Sequence, residues 1–181
     1  PSEAEIASTI ADVIKSASRR VVVTLFSSNV ARIKAVYDAA NAAGRKFVVA
    51  GRAIHRVVAV AIEAGYLPED FEYLDQDAAK RLPAAETVLL VTGSQGEGRA
   101  ALARIADDTH PTISLDRGDL VIYSSRTIPG NERTVLRVQN KLAEMGVDIL
   151  TDSDAKVHVT GHPRRDELTT LYGWVKPKFL V

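Results

Sequence analysis

The sequence contains no cysteine, and this absence excludes several kinds of site. A disulfide framework, a thiolate zinc centre and a cysteine nucleophile all need the missing side chain. The absence also agrees with a cytoplasmic protein, because disulfides are rare in the cytosol. Aromatic residues are scarce as well, at 6% of the chain. The chain therefore offers no evident stacking platform of the kind that general single-strand nucleic-acid binders use.

Neither sign of charge predominates, since 23 Lys and Arg residues balance 23 Asp and Glu residues. Bulk charge therefore predicts no polyanionic partner, and any contact with nucleic acid must come from a local patch. No apolar run approaches the roughly 20 residues that cross a bilayer, and the first residues do not resemble a signal peptide. We expect a soluble, cytoplasmic protein that does not act at a membrane.

Length and composition suit one globular domain. The 181 residues are 46% hydrophobic and 25% charged, which is enough apolar material for a proper core. We find no internal repeat, low-complexity tract or linker, so we predict a single domain over residues 1–181.

Short apolar runs rich in β-branched residues alternate with amphipathic segments along the whole chain. Because these runs are apolar along most of their length, they indicate a mainly parallel sheet that is buried on both faces. The alternation predicts a doubly wound α/β domain with helices on both faces of the sheet. The predicted strands are residues 21–26, 46–50, 87–92, 120–123, 147–150 and 157–159, with an unfinished strand from Phe179.

The helices are predicted from their caps and their periodicity. Ser2 and Glu5 form a capping box for the first helix, and Ser28 or Asn29 caps a second helix that ends at Gly44. Residues 75–85 are predicted to be a loop with a short helix. Further helices are predicted at residues 54–64, through Leu102 and Ile105, from Pro129 onward, and at residues 165–174.

The loops that follow the strands carry the candidate site. In parallel sheets these loops collect at one edge, where ligands bind. Glycines let a ligand approach the backbone, and helix N-termini and hydroxyls offer donors, so the set predicts phosphate binding. The alternative is a purely structural role, in which these residues only cap helices. The candidates are Ser27, Ser28, Asn29, Arg52, Ser94, Gln95, Gly96, Ser124, Ser125, Arg126, His158, Thr160, Gly161 and His162.

Known phosphate-loop motifs are not present. The Gly-Ser-Gln-Gly-Glu run at residues 93–97 lacks the spacing of a P-loop and of a dinucleotide-binding loop. Neither ATP hydrolysis nor dinucleotide binding is supported by a motif. We expect Glu97 to lie at a helix start and complement the helix dipole rather than act as a general base.

Two histidines lie four residues apart, at positions 158 and 162. This spacing places two imidazoles on one face only within a helix, whereas the segment is typical of a strand and a turn. No third ligand follows at a recognisable spacing, so we predict no metal site within this chain. His162 is instead the candidate catalytic residue, as a phosphate ligand or proton carrier. Arg126, Arg164 and Arg165 flank these loops and could contact an RNA or DNA backbone.

Several segments in sequence resemble ribonuclease J, a family of the β-CASP branch of the metallo-β-lactamase nucleases. The resemblance covers essentially the whole chain. The segments that carry it are residues 26–32, 44–52, 93–102, 124–132, 158–162 and 176–179.

The resemblance implies that this chain is the β-CASP domain alone. The family holds two zinc ions with a His-x-His-x-Asp-His motif in its metallo-β-lactamase domain, and that motif does not occur in this sequence. The resemblance therefore implies that zinc is a cofactor of a longer parent enzyme, with no ligand in this chain. It also implies that the isolated chain is inactive, and that the parent is a cytoplasmic RNA-processing and RNA-decay hydrolase, acting as exonuclease, endonuclease or both.

In the family, the segment equivalent to residues 158–162 binds RNA phosphates, including a 5′-monophosphate end. The resemblance assigns phosphate contacts to Thr160, Gly161 and His162, with His158 beside them. Thr160 replaces the usual serine, and Pro163 replaces a small residue and removes one N–H donor. The implied partners are RNA and a metallo-β-lactamase domain of the same parent chain, and a homo-oligomer of the parent is compatible with the resemblance.

Two other functions stay open at this stage. The same sheet edge would serve a stand-alone module that binds a nucleotide or a phosphorylated metabolite. A purely structural or oligomer-forming domain is the third hypothesis, in which Thr160 and His162 would have no role.

Overall fold

A computed structural model describes residues 2–179 of the chain. Six strands form one sheet in the order β3-β2-β4-β1-β5-β6, and every pairing between them is parallel. The strands are β1 (Val21–Thr24), β2 (Lys46–Ala50), β3 (Leu74–Asp75), β4 (Thr87–Val91), β5 (Leu120–Tyr123) and β6 (Asp148–Leu150).

Within residues 2–179, six α-helices and two short 3-10 helices precede, connect or follow the strands. The α-helices are α1 (Glu3–Ser16), α2 (Val30–Ala42), α3 (Arg52–Glu63), α4 (Ala101–Ala106), α5 (Glu132–Glu144) and α6 (Arg165–Val175). The 3-10 helices are Gln76–Lys80 and Ala84–Glu86. No helix among the residues described is long and apolar enough to cross a membrane.

The sheet is buried on both faces, as its continuous apolar strands predict. Alternate residues of β1 point to opposite cores: Val21 and Val23 pack in one, and Val22 packs in the other. The first core takes the apolar faces of α1, α2 and α3, and the second takes those of α4 and α5. The prediction of a doubly wound α/β domain is therefore confirmed.

Most predicted elements are present with small shifts in their ends. The capping box at Ser2 and Glu5 is formed, and the Asn29 side chain caps α2 by accepting from the Arg32 N–H. The predicted strand at 147–150 corresponds to β6. Residues 75–85 contain the first 3-10 helix and the start of the second. The edge strand β3 was not predicted, because two residues show no periodicity.

The predicted start of a helix at Pro129 is wrong. A turn with Gly130 at φ +98° comes first, and α5 begins at Glu132. The position of Glu97 at a helix start is also wrong, because α4 begins at Ala101. The Glu97 carboxylate instead accepts from the Gln95 N–H at 3.0 Å.

The predicted strand at residues 157–159 is wrong as well. The Val157 carbonyl accepts hydrogen bonds from the side chains of Arg32 and Ser124 rather than from a neighbouring strand. The Val157 side chain is fully buried, so an apolar residue that anchors a loop looked like a strand. The unfinished strand predicted from Phe179 lies mostly outside the described residues.

The connections out of β1 and β5 leave the sheet on opposite faces. The chain runs from β1 into α2 on one face and from β5 into α5 on the other, while β1 and β5 are hydrogen-bonded neighbours. The carboxyl ends of these two strands therefore border a crevice at a topological switch point, where doubly wound folds bind ligands.

Candidate phosphate-binding site

A cavity of about 770 Å³ lies at this switch point. Its walls come from the loop after β1, the loop after β5 and the segment after β6, with Glu3 from the start of α1. The lining residues are Glu3, Phe26, Ser28, Asn29, Val30, Arg126, Thr127, Ile128, Pro129, His158, Val159, Thr160, Gly161, His162 and Pro163.

Half of the predicted site residues line this cavity. They are Ser28, Asn29, Arg126, His158, Thr160, Gly161 and His162. The others do not line it: Ser27, Arg52, Ser94, Gln95, Gly96, Ser124 and Ser125. The carboxyl edge of the sheet thus brings together residues that are far apart in sequence, as predicted, but only half of the predicted set.

Residues 160–163 form an exposed rim of the cavity. Thr160, Gly161 and His162 are all exposed, and the Thr160 hydroxyl accepts from the His162 N–H at 3.2 Å. This hydrogen bond closes a local turn and uses the His162 N–H within the loop. The hydroxyl and the imidazole remain on the solvent side of the cavity, where they can meet a ligand.

His158 lies deeper and is half-buried. Burial lowers the pKa of its imidazole below the ordinary value of 6.5, and the nearby Arg32 guanidinium lowers the pKa further. Asp152 acts in the opposite direction but is outweighed. The neutral form of His158 is therefore favoured, which suits a hydrogen-bonding residue better than a cationic phosphate ligand.

Arg126 supplies an accessible positive charge at the cavity. Its side chain is 71% exposed, and its Nε lies 3.2 Å from the Asp152 carboxylate. An exposed ion pair of this kind is weak. The guanidinium can therefore turn towards an anionic ligand at little cost.

Gln95 is buried and stabilises the wall of the cavity through hydrogen bonds to its backbone. Its Nε2 donates to the Arg126 carbonyl at 3.0 Å, and its Oε1 accepts from the Ile128 N–H at 2.8 Å. The same Oε1 accepts from the Asn131 side chain at 3.3 Å. Both ends of the amide are thus used within the protein, and Gln95 shapes the loop that carries Arg126.

Gly96 lets the 93–97 loop pack directly on α5. Its φ is +72°, and a Cβ at this position would lie 2.5 Å from the Thr134 carbonyl carbon. Only glycine fits such a conformation and such a close approach. The loop between β4 and α4 therefore braces α5 and the loop before it.

The two serines after β5 are buried. Ser124 Oγ accepts from Arg32 Nη1 at 2.6 Å and donates to the Val157 carbonyl at 2.7 Å. Ser125 Oγ is buried and has no hydrogen-bond partner among residues 2–179. Arg52 is exposed at the start of α3, outside the cavity.

Arg32 is the residue that sequence reasoning missed. The sequence predicts no role for it beyond the matching segment 26–32, yet its side chain is 1% exposed and bonds to three elements around the cavity. A signal was present: position 32 precedes Val36 by one helical turn and so lies on the buried stripe of α2. An arginine on an apolar stripe indicates a specific buried partner.

No group of three or more His, Cys, Asp and Glu side chains that could hold a metal ion occurs within residues 2–179.

The fold and the cavity define the class of this protein: a doubly wound α/β domain with a polar ligand cavity at its switch point. A family model for the ribonuclease J beta-CASP domain matches residues 18–142. The chain belongs to this family, as its resemblance predicts.

Curated relatives match the chain over almost its whole length. It is 47% identical over 181 residues to Ribonuclease J of Sinorhizobium meliloti, which covers 100% of the chain and 32% of that protein. Identity to Ribonuclease J of Mycolicibacterium smegmatis is 43% over 179 residues, covering 98% of the chain and 32% of that protein. Identity to Ribonuclease J2 of Bacillus subtilis is 35% over 182 residues, covering 100% and 33%. The chain thus spans about a third of the length of these relatives.

Proposed function

We propose that this β-CASP domain binds RNA phosphates in the switch-point cavity and serves a longer RNA-cleaving nuclease. The observation that carries the proposal is the placement of Arg126, Thr160 and His162 around one cavity, in a chain whose relatives are named ribonucleases. These three side chains offer a mobile cation, a hydroxyl and an imidazole. That set can neutralise, position and exchange a proton with a phosphodiester.

His162 is the proposed catalytic residue of this chain. Its imidazole is exposed at the mouth of the cavity, and histidine exchanges protons near neutral pH. It can hold a phosphate oxygen, or protonate a leaving oxygen during cleavage. Thr160 and Gly161 contribute the hydroxyl and the unobstructed backbone beside it. A 5′-monophosphate end would add a second negative charge for Arg126.

The resemblance also leads us to propose zinc as the cofactor of the longer protein, held outside this chain. Zinc bound in such nucleases activates water at neutral pH. The role of this chain is to hold the RNA so that its phosphate faces the rest of the enzyme.

Helix α6 supports the proposal of a partner domain. None of its residues is buried, and most of its apolar side chains are open to solvent. Trp174 is 79% exposed and Val175 is 64% exposed, and Phe179 just after the helix is 87% exposed. Single exposed apolar residues are ordinary, but several of them close together in the sequence are typical of an interface. We propose that the group packs against a metallo-β-lactamase domain of the same longer chain.

Substitutions at the cavity test the proposed function in the full-length protein. We expect Arg126→Gln to weaken the binding of a short 5′-monophosphorylated RNA by about tenfold or more, because a charge-assisted contact is lost. We expect His162→Ala to lower kcat by about a hundredfold or more, because proton transfer is lost. Fluorescence titration and steady-state RNA cleavage measure the two effects.

Arg137→Gln is the matched control for Arg126. Arg137 is 69% exposed and pairs with Asp107, in close parallel to Arg126 and Asp152, but it lies on α5 outside the cavity. Equal losses in both variants would contradict a cavity-specific role. Tight binding of a mononucleotide, with no preference for the oligonucleotide, would favour a small-ligand module instead.

A further inference from the structure

Arg32 is a fully buried arginine with an unusually complete set of partners. Its Nε and Nη2 donate to Glu3 Oε2 at 3.0 and 2.7 Å. Its Nη1 donates to Ser124 Oγ at 2.6 Å and to the Val157 carbonyl at 2.9 Å. One side chain on α2 thereby joins the start of α1, the end of β5 and the segment that follows β6.

Burial of a guanidinium is costly, and an apolar side chain could fill the same space on α2 more cheaply. What an apolar side chain cannot do is donate in three fixed directions at once. The fixed directions of these hydrogen bonds therefore indicate that Arg32 holds specific groups in place.

The Val157 carbonyl is the acceptor that leads to the site. It receives Arg32 Nη1 and Ser124 Oγ together, and Val157 itself is fully buried. The next residues form no strand and become exposed within three positions. Two donors on one carbonyl thus fix the last buried point before His158 and the rim that carries His162.

Glu3 balances the charge of Arg32 from the other side. Its carboxylate is half exposed at 49% and lines the cavity. Because this carboxylate lies against the guanidinium, the positive charge of Arg32 is compensated within the protein. Arg32 therefore acts on a ligand through the loop that it holds.

We propose that Arg32 is the positioning residue of the segment 158–162, holding His162 at its place on the cavity through the Val157 carbonyl. This inference rests on the proposed function and adds a residue that touches neither RNA nor any reacting group. Ser124 is the second member of the device, since it bonds both Arg32 and the same carbonyl.

The test compares Arg32→Met with Arg45→Met in the full-length protein. Arg45 is the matched control because it is also buried and donates to two backbone carbonyls, those of Ala17 and Arg19, at the opposite edge of the sheet. Both variants should melt at a lower temperature. We expect only Arg32→Met to lower kcat/KM for a 5′-monophosphorylated RNA, by about ten- to a hundredfold, since small displacements of a catalytic group have effects of this size.

Hydrogen exchange gives a readout that a merely stabilising role would not move. We expect faster exchange confined to the 158–163 segment in Arg32→Met and unchanged exchange there in Arg45→Met. Arg32→Lys should restore part of the activity, because an ammonium can reach some of the acceptors but not all of them. If Arg32→Met does not fold, Ser124→Ala removes one of the two donors to Val157 and should show the same local exchange with a smaller loss of activity.

Two results would overturn the inference. One is unchanged kcat/KM and unchanged exchange at 158–163 in both Arg32→Met and Ser124→Ala. The other is equal loss of activity in Arg32→Met and Arg45→Met. An unmodified protein that neither binds nor cleaves RNA would instead remove the proposed function, so the two failures are distinguishable.

Discussion

Two histidines link the stability of the domain to pH. His158 is half-buried at the cavity, and His110 is half-buried with its Nδ1 accepting from the Thr112 and Ile113 N–H groups. Burial, assisted by Arg32 at His158 and by Arg104 at His110, lowers the pKa of each imidazole below 6.5. The folded chain therefore binds these two protons less readily than the unfolded chain.

We expect the domain to lose stability as the pH falls from about 7 to about 5, because the unfolded chain takes up protons first. The contribution is fully present above pH 6.5 and is lost as the pH approaches the lowered pKa values. Melting temperatures measured across this range should fall less steeply in His110→Asn and His158→Asn than in the unmodified chain. An identical slope in all three proteins would contradict the linkage.

Gly96 offers a second test at the residue scale. We expect Gly96→Ala to destabilise the chain by about 1–3 kcal/mol, because the added methyl group meets the backbone of Thr134 and φ is positive. Gly98→Ala is the control, since nothing lies within 4 Å of a Cβ built there. Urea unfolding measures both variants. A cost at Gly98 as large as that at Gly96 would mean that the close packing on α5 is not the cause.

Helix α6 carries the main prediction at the scale of elements. We expect Trp174→Glu to leave the stability of the isolated chain nearly unchanged, since Trp174 is 79% exposed. In the full-length protein the same change should cost about 2–3 kcal/mol, because the proposed domain interface would bury that side chain. Tyr66→Glu, at a position that is 75% exposed near the end of α3, is the control. Both variants should be compared by chemical denaturation.

The elements also show where sequence reasoning succeeds and where it stops. β1, β2, β4 and β5 are predictable because a strand that is buried on both faces must be apolar throughout. β3 escapes because two residues at an edge have no periodicity. The anchor at Val157 misleads because a single buried valine has the same composition whether its carbonyl meets a strand or the side chains of Arg32 and Ser124.

The residues of the candidate site also divide into those that the sequence predicts and those that it does not. The cavity residues on exposed loops, such as Arg126 and His162, are predictable because the carboxyl ends of parallel strands share one edge. Gln95, Gly96 and Ser124 were predicted to contact phosphate, but they do not line the cavity, and their buried hydrogen bonds and packing depend on tertiary geometry that no local pattern contains. Arg32 could be recognised only by asking why an arginine lies on the buried stripe of α2.

At the scale of the whole molecule, we expect activity to be divided between this chain and the rest of the full-length protein. The isolated chain should bind short 5′-monophosphorylated RNA weakly and should not cleave it, because the proposed zinc ligands lie outside this chain. The full-length protein should cleave the same RNA, and removal of zinc with a chelator should abolish cleavage while leaving the fold of this domain intact. Zinc-dependent cleavage by a clean preparation of the isolated chain would contradict this division.

The strand order has a consequence for how the chain folds during synthesis. The central strand β1 is made before both of its neighbours, which begin at Thr87 and Leu120. A ribosome emits residues from the amino end, so the apolar Val21–Thr24 segment must wait for more distant parts of the chain before its backbone groups are paired. Long-range pairing of this kind slows folding and prolongs the exposure of aggregation-prone apolar segments. The Val21–Thr24 segment therefore stays unpaired until β4 and β5 have emerged.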